Sequence, residues 1–157
     1  QSIDSQGTEM YVDGKWEEQG PIDGRVTGVG AFWAPVDPFA RYMYARSLDT
    51  DLGKRLVVNT EAYFGKEQAM TDACLSRIVN EETKTQLPEV WFAQAGNDQN
   101  VPPQMVDELA SAYRQAGGCF TLKHYPGAAH GFGHLETKQT QHFLDDLCCW
   151  LDETIEG

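Results

Sequence analysis

The second half of the chain alternates between short apolar runs and helix-like segments, and this alternation constrains the fold more than any other feature. Residues 90–93 (Val-Trp-Phe-Ala) form a wholly apolar run that is typical of a strand buried on both faces. Residues 102–103 (Pro-Pro) predict the start of a helix, and residues 117–118 (Gly-Gly) predict its end. A strand over 119–125 and a helix over about 136–155 follow. Strands that alternate with helices usually pair in parallel, so the sequence predicts an α/β protein with helices on both faces of its sheet.

The first half of the chain carries weaker signals. Residues 1–24 are polar, and an Asp-Gly pair in the middle of residues 10–16 predicts a small hairpin. Three further segments are expected: a strand over residues 25–34, one or two short helices and a loop over residues 36–66, and a helix over residues 67–80.

The charge balance excludes several kinds of partner. The 157 residues include 12 Lys and Arg against 24 Asp and Glu, a net charge of −12. Nucleic acids and anionic membranes bind basic surfaces, so we expect neither as a partner. The longest apolar run, residues 29–36, is interrupted by Gly30 and Pro35 and is far shorter than the ~20 residues of a spanning helix. The four cysteines include no Cys-x-x-Cys pair, and we expect buried free thiols.

Two loops follow predicted strand ends, and each contains one residue suited to acid–base chemistry. Asp98 lies within residues 96–102, and His130 lies within residues 125–132. The carboxyl ends of parallel strands lie at one edge of a sheet, so we expect the two side chains to meet. A carboxylate that accepts a hydrogen bond from imidazole fixes its tautomer and stabilises its charged form, which suits a general base. Asp98 as a helix cap or Asx turn, and His130 as an ordinary loop residue, are the structural alternatives.

Other polar and aromatic residues carry weaker signals. Asp37 follows the end of the first predicted strand and is expected to be a turn residue, with contact to a substrate as the alternative. The aromatic residues within 39–44 and 63–64 either line an acyl or aryl pocket or belong to the packed core.

Two patterns resemble metal sites without completing them. His130 and His134 have the spacing of a helical metal pair, but the glycines between them disfavour a helix and the glutamate of a zinc protease is absent. Residues 98–100 (Asp-Gln-Asn) resemble the start of a calcium loop, but Pro103 replaces its required glycine. We therefore expect neither a metal nor a cofactor.

The two loops together share a pattern with a known family. Gly96-x-Asp98-x-x-Val101-Pro102 is followed, 32 residues after Asp98, by Pro126-Gly127-x-x-His130-Gly131-Phe132. This pair of motifs resembles the C-terminal half of an α/β-hydrolase, in the esterase and lipase branch that includes feruloyl-esterase-like and prolyl-oligopeptidase-like enzymes. The resemblance covers about residues 25–155, and residues 30–38 are similar to the family's strand after the nucleophile helix. It implies a three-layer α/β-hydrolase fold with a mostly parallel sheet, in which Asp98 is the acid and His130 the base of a catalytic triad.

The family's nucleophile motif, Gly-x-Ser-x-Gly, is absent from the chain. All five serines lack the flanking glycines: Ser2, Ser5, Ser47, Ser76 and Ser111. The His-Gly-Gly-Gly type of oxyanion loop is absent too. Because the triad follows the chain order Ser, Asp, His in this family, the missing parts belong before Arg25. We therefore divide the chain into a polar segment, residues 1–24, and the C-terminal half of a hydrolase domain, residues 25–157.

The resemblance implies a carboxylic ester hydrolase with a Ser-Asp-His triad whose serine lies outside this chain. The expected partners are the N-terminal half of the hydrolase, as a separate chain or as further sequence, and a small-molecule ester; a homo-oligomer is also allowed. Without that half, the first strand of the sheet would expose an edge and the apolar side chains Phe32 and Trp33. A serine peptidase of the prolyl-oligopeptidase type and a non-catalytic binding protein with the hydrolase fold are the alternatives.

Overall fold

A computed structural model of the chain describes residues 9–12, 15–18, 26–81 and 87–156. The first half contains strands β1 (Glu9–Val12), β2 (Lys15–Glu18) and β3 (Gly28–Phe32), followed by helices α1 (Pro38–Ser47), α2 (Asp51–Phe64), α3 (Glu67–Asp72) and α4 (Leu75–Glu81). The second half contains strand β4 (Glu89–Ala95), helix α5 (Pro103–Gln115), strand β5 (Phe120–Tyr125), a short 3-10 turn (Phe132–His134) and helix α6 (Lys138–Glu156).

Strands β1 and β2 form the hairpin expected within the polar segment. They pair antiparallel, with Tyr11 opposite Trp16 and Val12 opposite Lys15. The predicted Asp-Gly turn at residues 13–14 lies outside the described residues. The division of the chain at residue 24 stays a prediction.

The main sheet has the order β3-β4-β5, and both of its strand pairs are parallel. The alternation of strands and helices along the chain predicted this arrangement. The side chains of β4 point alternately to two cores, because neighbouring residues of a strand face opposite sides of the sheet. Phe92 packs in a core with Leu109 and Tyr113 of α5, whereas Trp91 packs with Phe143 and Trp150 of α6. All residues of β4 after Glu89 are buried, as expected for a strand covered on both faces.

The predicted helix over residues 67–80 is wrong, because the chain breaks there into α3 and α4. At the break, the backbone N–H of Leu75 donates to the carbonyl of Val36, 3.0 Å away, rather than to an earlier carbonyl of the same helix. The loop that follows β3 therefore ends α3 early. The preceding segment contains two full helices, α1 and α2, which are capped by the side chains of Asp37 and Thr50.

The cysteines are free, as expected, but the prediction that they are buried is wrong for three of them. Cys119, Cys148 and Cys149 are exposed, and Cys74 is partly buried. Cys119 lies in the turn between α5 and β5, while the neighbours Cys148 and Cys149 precede the inward-facing Trp150 on α6. Sequence neighbours of a buried residue on a helix point away from it, so the apolar surroundings in the sequence were misleading.

Strand β3 lies at one edge of the sheet, and its outer edge pairs with no other strand among the described residues. Val29 on this strand is 38% exposed. The expectation that Phe32 and Trp33 would be exposed is wrong, because their rings pack against Phe143 of α6 and both residues are half-buried. The strand therefore offers an open backbone edge, while the chain itself partly covers the two aromatic side chains at its end. In the described part of the chain, none of the helices combines the length and apolar character needed to cross a membrane.

Replacing Phe143 with Ala is expected to destabilise the protein by about 3–5 kcal/mol, because it removes a buried ring and leaves a cavity. Phe143 is 5% exposed and its ring contacts those of Phe32, Trp91 and Phe132. The matched control is Leu144→Ala on the same helix, which is expected to change stability by less than about 1 kcal/mol because Leu144 is 42% exposed. Urea denaturation of both variants measures the difference. Equal losses in the two variants would contradict the placement of α6.

Candidate active site

The loops that follow β4 and β5 contact each other directly at the carboxyl edge of the sheet. The backbone N–H of Gly96 donates to the carbonyl of Tyr125 at 3.0 Å, and that of Asn97 donates to the carbonyl of Ala128 at 2.8 Å. A Cβ atom on Gly96 would lie 3.0 Å from the Cα of Pro126, which is tighter than ordinary side-chain contacts. Gly96 therefore permits the close approach that brings the two candidate residues together.

The carboxylate of Asp98 is held by its own loop. Its Oδ1 accepts hydrogen bonds from the backbone N–H groups of Asn100 and Val101, both at 2.8 Å. This is the Asx-turn arrangement that the sequence allowed as a structural alternative. The side chain of Asp98 is fully buried, so these donors replace the water that would otherwise solvate the charge.

The same carboxylate contacts His130, so the turn and the predicted pair occur together. Nδ1 of His130 lies 2.9 Å from Oδ2 and 3.1 Å from Oδ1 of Asp98. The structure thereby confirms the contact expected from the two loops; the catalytic roles of the two residues stay a prediction. An ionised carboxylate only accepts hydrogen bonds, so in the neutral imidazole paired with it Nδ1 is the protonated nitrogen and Nε2 has the free lone pair. The ring of His130 is 35% exposed, which leaves part of it open to a reactant.

Two glycines and one buried aromatic residue shape the loop that carries His130. Gly127 and Gly131 have φ values of +77° and +74°, a backbone conformation that side chains with a Cβ atom disfavour. Phe132, directly after them, is buried against Tyr125 and Phe143. The loop therefore turns sharply on both sides of His130 and is fixed to the core by the next side chain.

A polar cluster holds the end of β5 against α6. The hydroxyl of Tyr125 donates to Asp146 at 2.8 Å, and the ammonium of Lys123 lies 3.3 Å from the same carboxylate. Burial and the hydrogen bond to Asp146 raise the pKa of Tyr125, so its hydroxyl stays a donor. Burial of Asp146 opposes its ionisation, but the hydrogen bonds from Tyr125 and Lys123 outweigh burial, and the pKa of Asp146 lies below its usual value. This cluster anchors the strand from which the His130 loop begins.

The remaining candidates of the sequence lie elsewhere. Asp37 caps α1 by accepting a hydrogen bond from the N–H of Ala40 at 2.8 Å, which agrees with its interpretation as a turn residue. The ring of His134 packs against Trp33 and is not part of the hydrogen-bonded pair. Within the described ranges, no group of three or more His, Cys, Asp or Glu side chains is placed to hold a metal ion.

The aromatic residues of the first half lie in two kinds of surroundings, and the assignment of any of them to an acyl or aryl pocket stays a prediction. Tyr42 is buried in the core, whereas Tyr63 and Phe64 line a cavity of about 480 Å³ beside α1 and α2. The lining is mostly apolar and includes one cation: Pro35, Pro38, Arg41, Asn59, Thr60, Tyr63, Phe64, Ala73 and Leu75.

Sequence reasoning missed Arg41, which the structure brings to the Asp98 loop. Its Nε donates to the backbone carbonyl of Asn100 at 3.1 Å, although the two residues are 59 positions apart in the chain. Contacts of this separation leave no periodic or local signal in a single sequence, so no motif pointed to it.

The sequence of the chain matches a known protein family. The profile of the family described as the dienelactone hydrolase family matches residues 52–144, which is more than half of the chain. None of the curated proteins matches the chain significantly.

Solved structures of esterases share the fold. The propionate-bound esterase Est2 of Thermogutta terrifontis is 25% identical to this chain with a TM-score of 0.53, over 87% of this chain and 46% of the esterase. Esterase B of Lactobacillus rhamnosis is 16% identical with a TM-score of 0.62, over 86% of this chain and 42% of that one. Esterase 2 of Thermogutta terrifontis phosphorylated by paraoxon is 21% identical with a TM-score of 0.52, over 92% and 47%. The fold is thus that of an α/β-hydrolase, and the chain spans less than half the length of these esterases.

Because Asp98 accepts two backbone hydrogen bonds, its Ala and Asn variants are expected to differ in stability. Asp98→Ala leaves the buried N–H groups of Asn100 and Val101 without their acceptor, which is expected to cost about 1–3 kcal/mol. Asp98→Asn keeps the oxygen that accepts both bonds and is expected to lose about 1 kcal/mol or less. Thermal unfolding of the two variants tests this order. A less stable Asn variant would contradict the described loop geometry.

Proposed function

Because this chain belongs to the dienelactone hydrolase family, we propose that it is the C-terminal part of a serine hydrolase that cleaves carboxylic esters. One observation carries the proposal: the half-exposed ring of His130 is hydrogen-bonded at Nδ1 to the fully buried carboxylate of Asp98. This is the arrangement of an acid and a base that activate a hydroxyl nucleophile. The similarity to esterase structures supports the choice of an ester as the substrate.

In the proposed reaction, Asp98 and His130 have different roles. Asp98 holds the imidazole in the tautomer that leaves Nε2 unprotonated, and it stabilises the positive charge that the ring gains. Nε2 of His130 takes the proton of a serine hydroxyl as its oxygen attacks the ester carbonyl carbon, and gives that proton to the departing alcohol. The same nitrogen then activates a water molecule, which attacks the acyl group and releases the free acid and the serine.

The serine is proposed to come from a segment that pairs with the open edge of β3. No serine of this chain lies in a Gly-x-Ser-x-Gly motif, and Ser47, Ser76 and Ser111 lie on helices. Strand β3 exposes unpaired backbone along its outer edge in the described part of the chain. A strand added there in parallel would end at the same edge of the sheet as the loops of Asp98 and His130. The N-terminal half of the hydrolase, on the same polypeptide or on a second one, is the proposed source of that strand.

Labelling with a fluorophosphonate probe tests the proposal on the assembly that contains both halves. A serine hydrolase is expected to form a covalent adduct with the probe on one serine and to hydrolyse short-chain carboxylic esters. Cleavage of peptides after proline without ester turnover would favour the peptidase alternative. Absence of both labelling and turnover would favour a binding protein that has lost catalysis.

Two substitutions at the pair are expected to remove most of the activity. His130→Ala deletes the base, so kcat for an ester should fall by several orders of magnitude. Asp98→Asn keeps the shape but places an N–H group opposite Nδ1, which favours the wrong imidazole tautomer, and should lower kcat by up to about 10⁴-fold. Steady-state ester hydrolysis by the full assembly measures both effects.

The matched control is His134→Ala, which changes a histidine four positions away on the same loop. His134 is exposed and is expected to leave kcat within about tenfold of the wild type. Near-normal turnover in His130→Ala would overturn the assignment of the base. A large loss in His134→Ala alone would mean that the other histidine performs this role.

A further inference from the structure

Arg41 of α1 contacts Asn100 with both the inner nitrogen and one outer nitrogen of its guanidinium. Nε donates to the carbonyl oxygen of Asn100 at 3.1 Å and to its side-chain Oδ1 at 3.0 Å, and Nη2 donates to the same Oδ1. Nη1 donates to the hydroxyl of Thr60 on α2 at 3.3 Å. That hydroxyl is buried and donates in turn to the carbonyl of Leu56. The guanidinium is thus held between α2 and the loop of the candidate acid.

One peptide unit links this guanidinium to Asp98. The carbonyl of Asn100, which accepts from Arg41, belongs to the same planar peptide group as the N–H of Val101. That N–H donates to Oδ1 of Asp98 at 2.8 Å. A cation that donates to the carbonyl polarises the peptide and strengthens the hydrogen bond of its N–H, because hydrogen bonds in series reinforce one another. The positive charge of Arg41 therefore acts on Asp98 through a single rigid group.

Arg41 is a cation that is partly removed from solvent. Burial lowers the pKa of Arg41 from its usual value, and the negative charge of Asp98 opposes that effect. An arginine stays charged in proteins, so the molecule keeps a partly desolvated cation close to the buried carboxylate. The nearby Arg46, on the same helix, is exposed: its guanidinium lies 3.7 Å from the carboxylate of Glu67 and 5.5 Å from the ring centre of Tyr42.

We propose that Arg41 is a positioning residue for the reaction: it fixes the peptide between Asn100 and Val101, which holds Oδ1 of Asp98 and leaves Oδ2 to orient His130. This inference rests on the proposed function, because it assigns Arg41 to the same reaction. Arg41 acts through Asn100 and Val101 and supports the acid of the pair rather than the ester itself. Its loss should therefore lower kcat while leaving substrate binding nearly intact.

The test is a double-mutant cycle on the full assembly with a short-chain ester as the substrate. Arg41→Met is expected to lower kcat by about tenfold to a hundredfold, as small misplacements of reacting groups do, with KM within about threefold. Arg41→Lys should fall between Met and the wild type, since a lysine keeps the charge but cannot bridge two acceptors with a planar fork. In an Asp98→Asn background, Arg41→Met should change kcat by less than about threefold, because the charge that it positions is already absent.

The control is Arg46→Met, which removes an exposed arginine from the same helix and should leave kcat within about twofold. A purely structural role of Arg41 would lower the melting temperature and would lower kcat by the same factor with or without the Asp98 charge, which would overturn the inference. If Arg41→Met folds and has the kcat of the wild type while His130→Ala is inactive, the inference about Arg41 is wrong and the proposed function stands. An active His130→Ala variant would overturn the proposed function together with it. If Arg41→Met does not fold, the same cycle with Arg41→Lys decides the question by the same criteria.

Discussion

The carboxylate of Asp98 is fully buried, and a buried charge is unstable unless donors surround it. The chain supplies three: two backbone N–H groups of its own loop and Nδ1 of His130. The first two require the loop after β4 to turn back on itself, and the third requires the loop after β5 to lie directly beside it. The parallel register of β4 and β5 brings both loops to one edge, and Gly96 lets them touch. The need to surround the carboxylate of Asp98 with donors thus accounts for the positions of the loops after β4 and β5.

The two loops are supported from opposite faces of the sheet. On the side of α5, Gln94 of β4 is fully buried and donates to the carbonyl of Val101 at 3.2 Å, while Arg41 holds the preceding peptide. On the side of α6, the hydroxyl of Thr140 donates to the carbonyl of Phe132 at 3.0 Å, next to the buried ring that ends the His130 loop. Each residue of the candidate pair is therefore held from a different face of the sheet. A change on one face is expected to disturb one member of the pair before the other.

The strands and helices of the second half could be predicted from local sequence signals, because residues close by in the sequence determine where these elements begin and end. The Pro-Pro pair at residues 102–103 and the Gly-Gly pair at residues 117–118 act within one turn of backbone, and α5 begins and ends beside them. The contact of Asp98 with His130 could also be predicted, because parallel strands place their ends together whatever the intervening sequence. The break between α3 and α4 could not, since it depends on a hydrogen bond from Leu75 to Val36. The contact of Arg41 with Asn100 has the same long-range origin.

Trp33 connects the open edge of the sheet to the loop of the candidate base. It is the one non-glycine residue with positive φ in the described part of the chain, at +38°, a conformation that costs about 1–3 kcal/mol. Its N–H donates to the carbonyl of Ala93 at 2.9 Å, and its ring packs on Phe132. A Cβ atom on Gly133 would lie 2.6 Å from that ring, so the loop after His130 has a glycine where the indole lies. Strand β3, which has the unpaired edge, therefore contacts the His130 loop through the strained residue Trp33. A strand added at that edge would lie two strand spacings from β4 and would end about 10 Å from the end of β4.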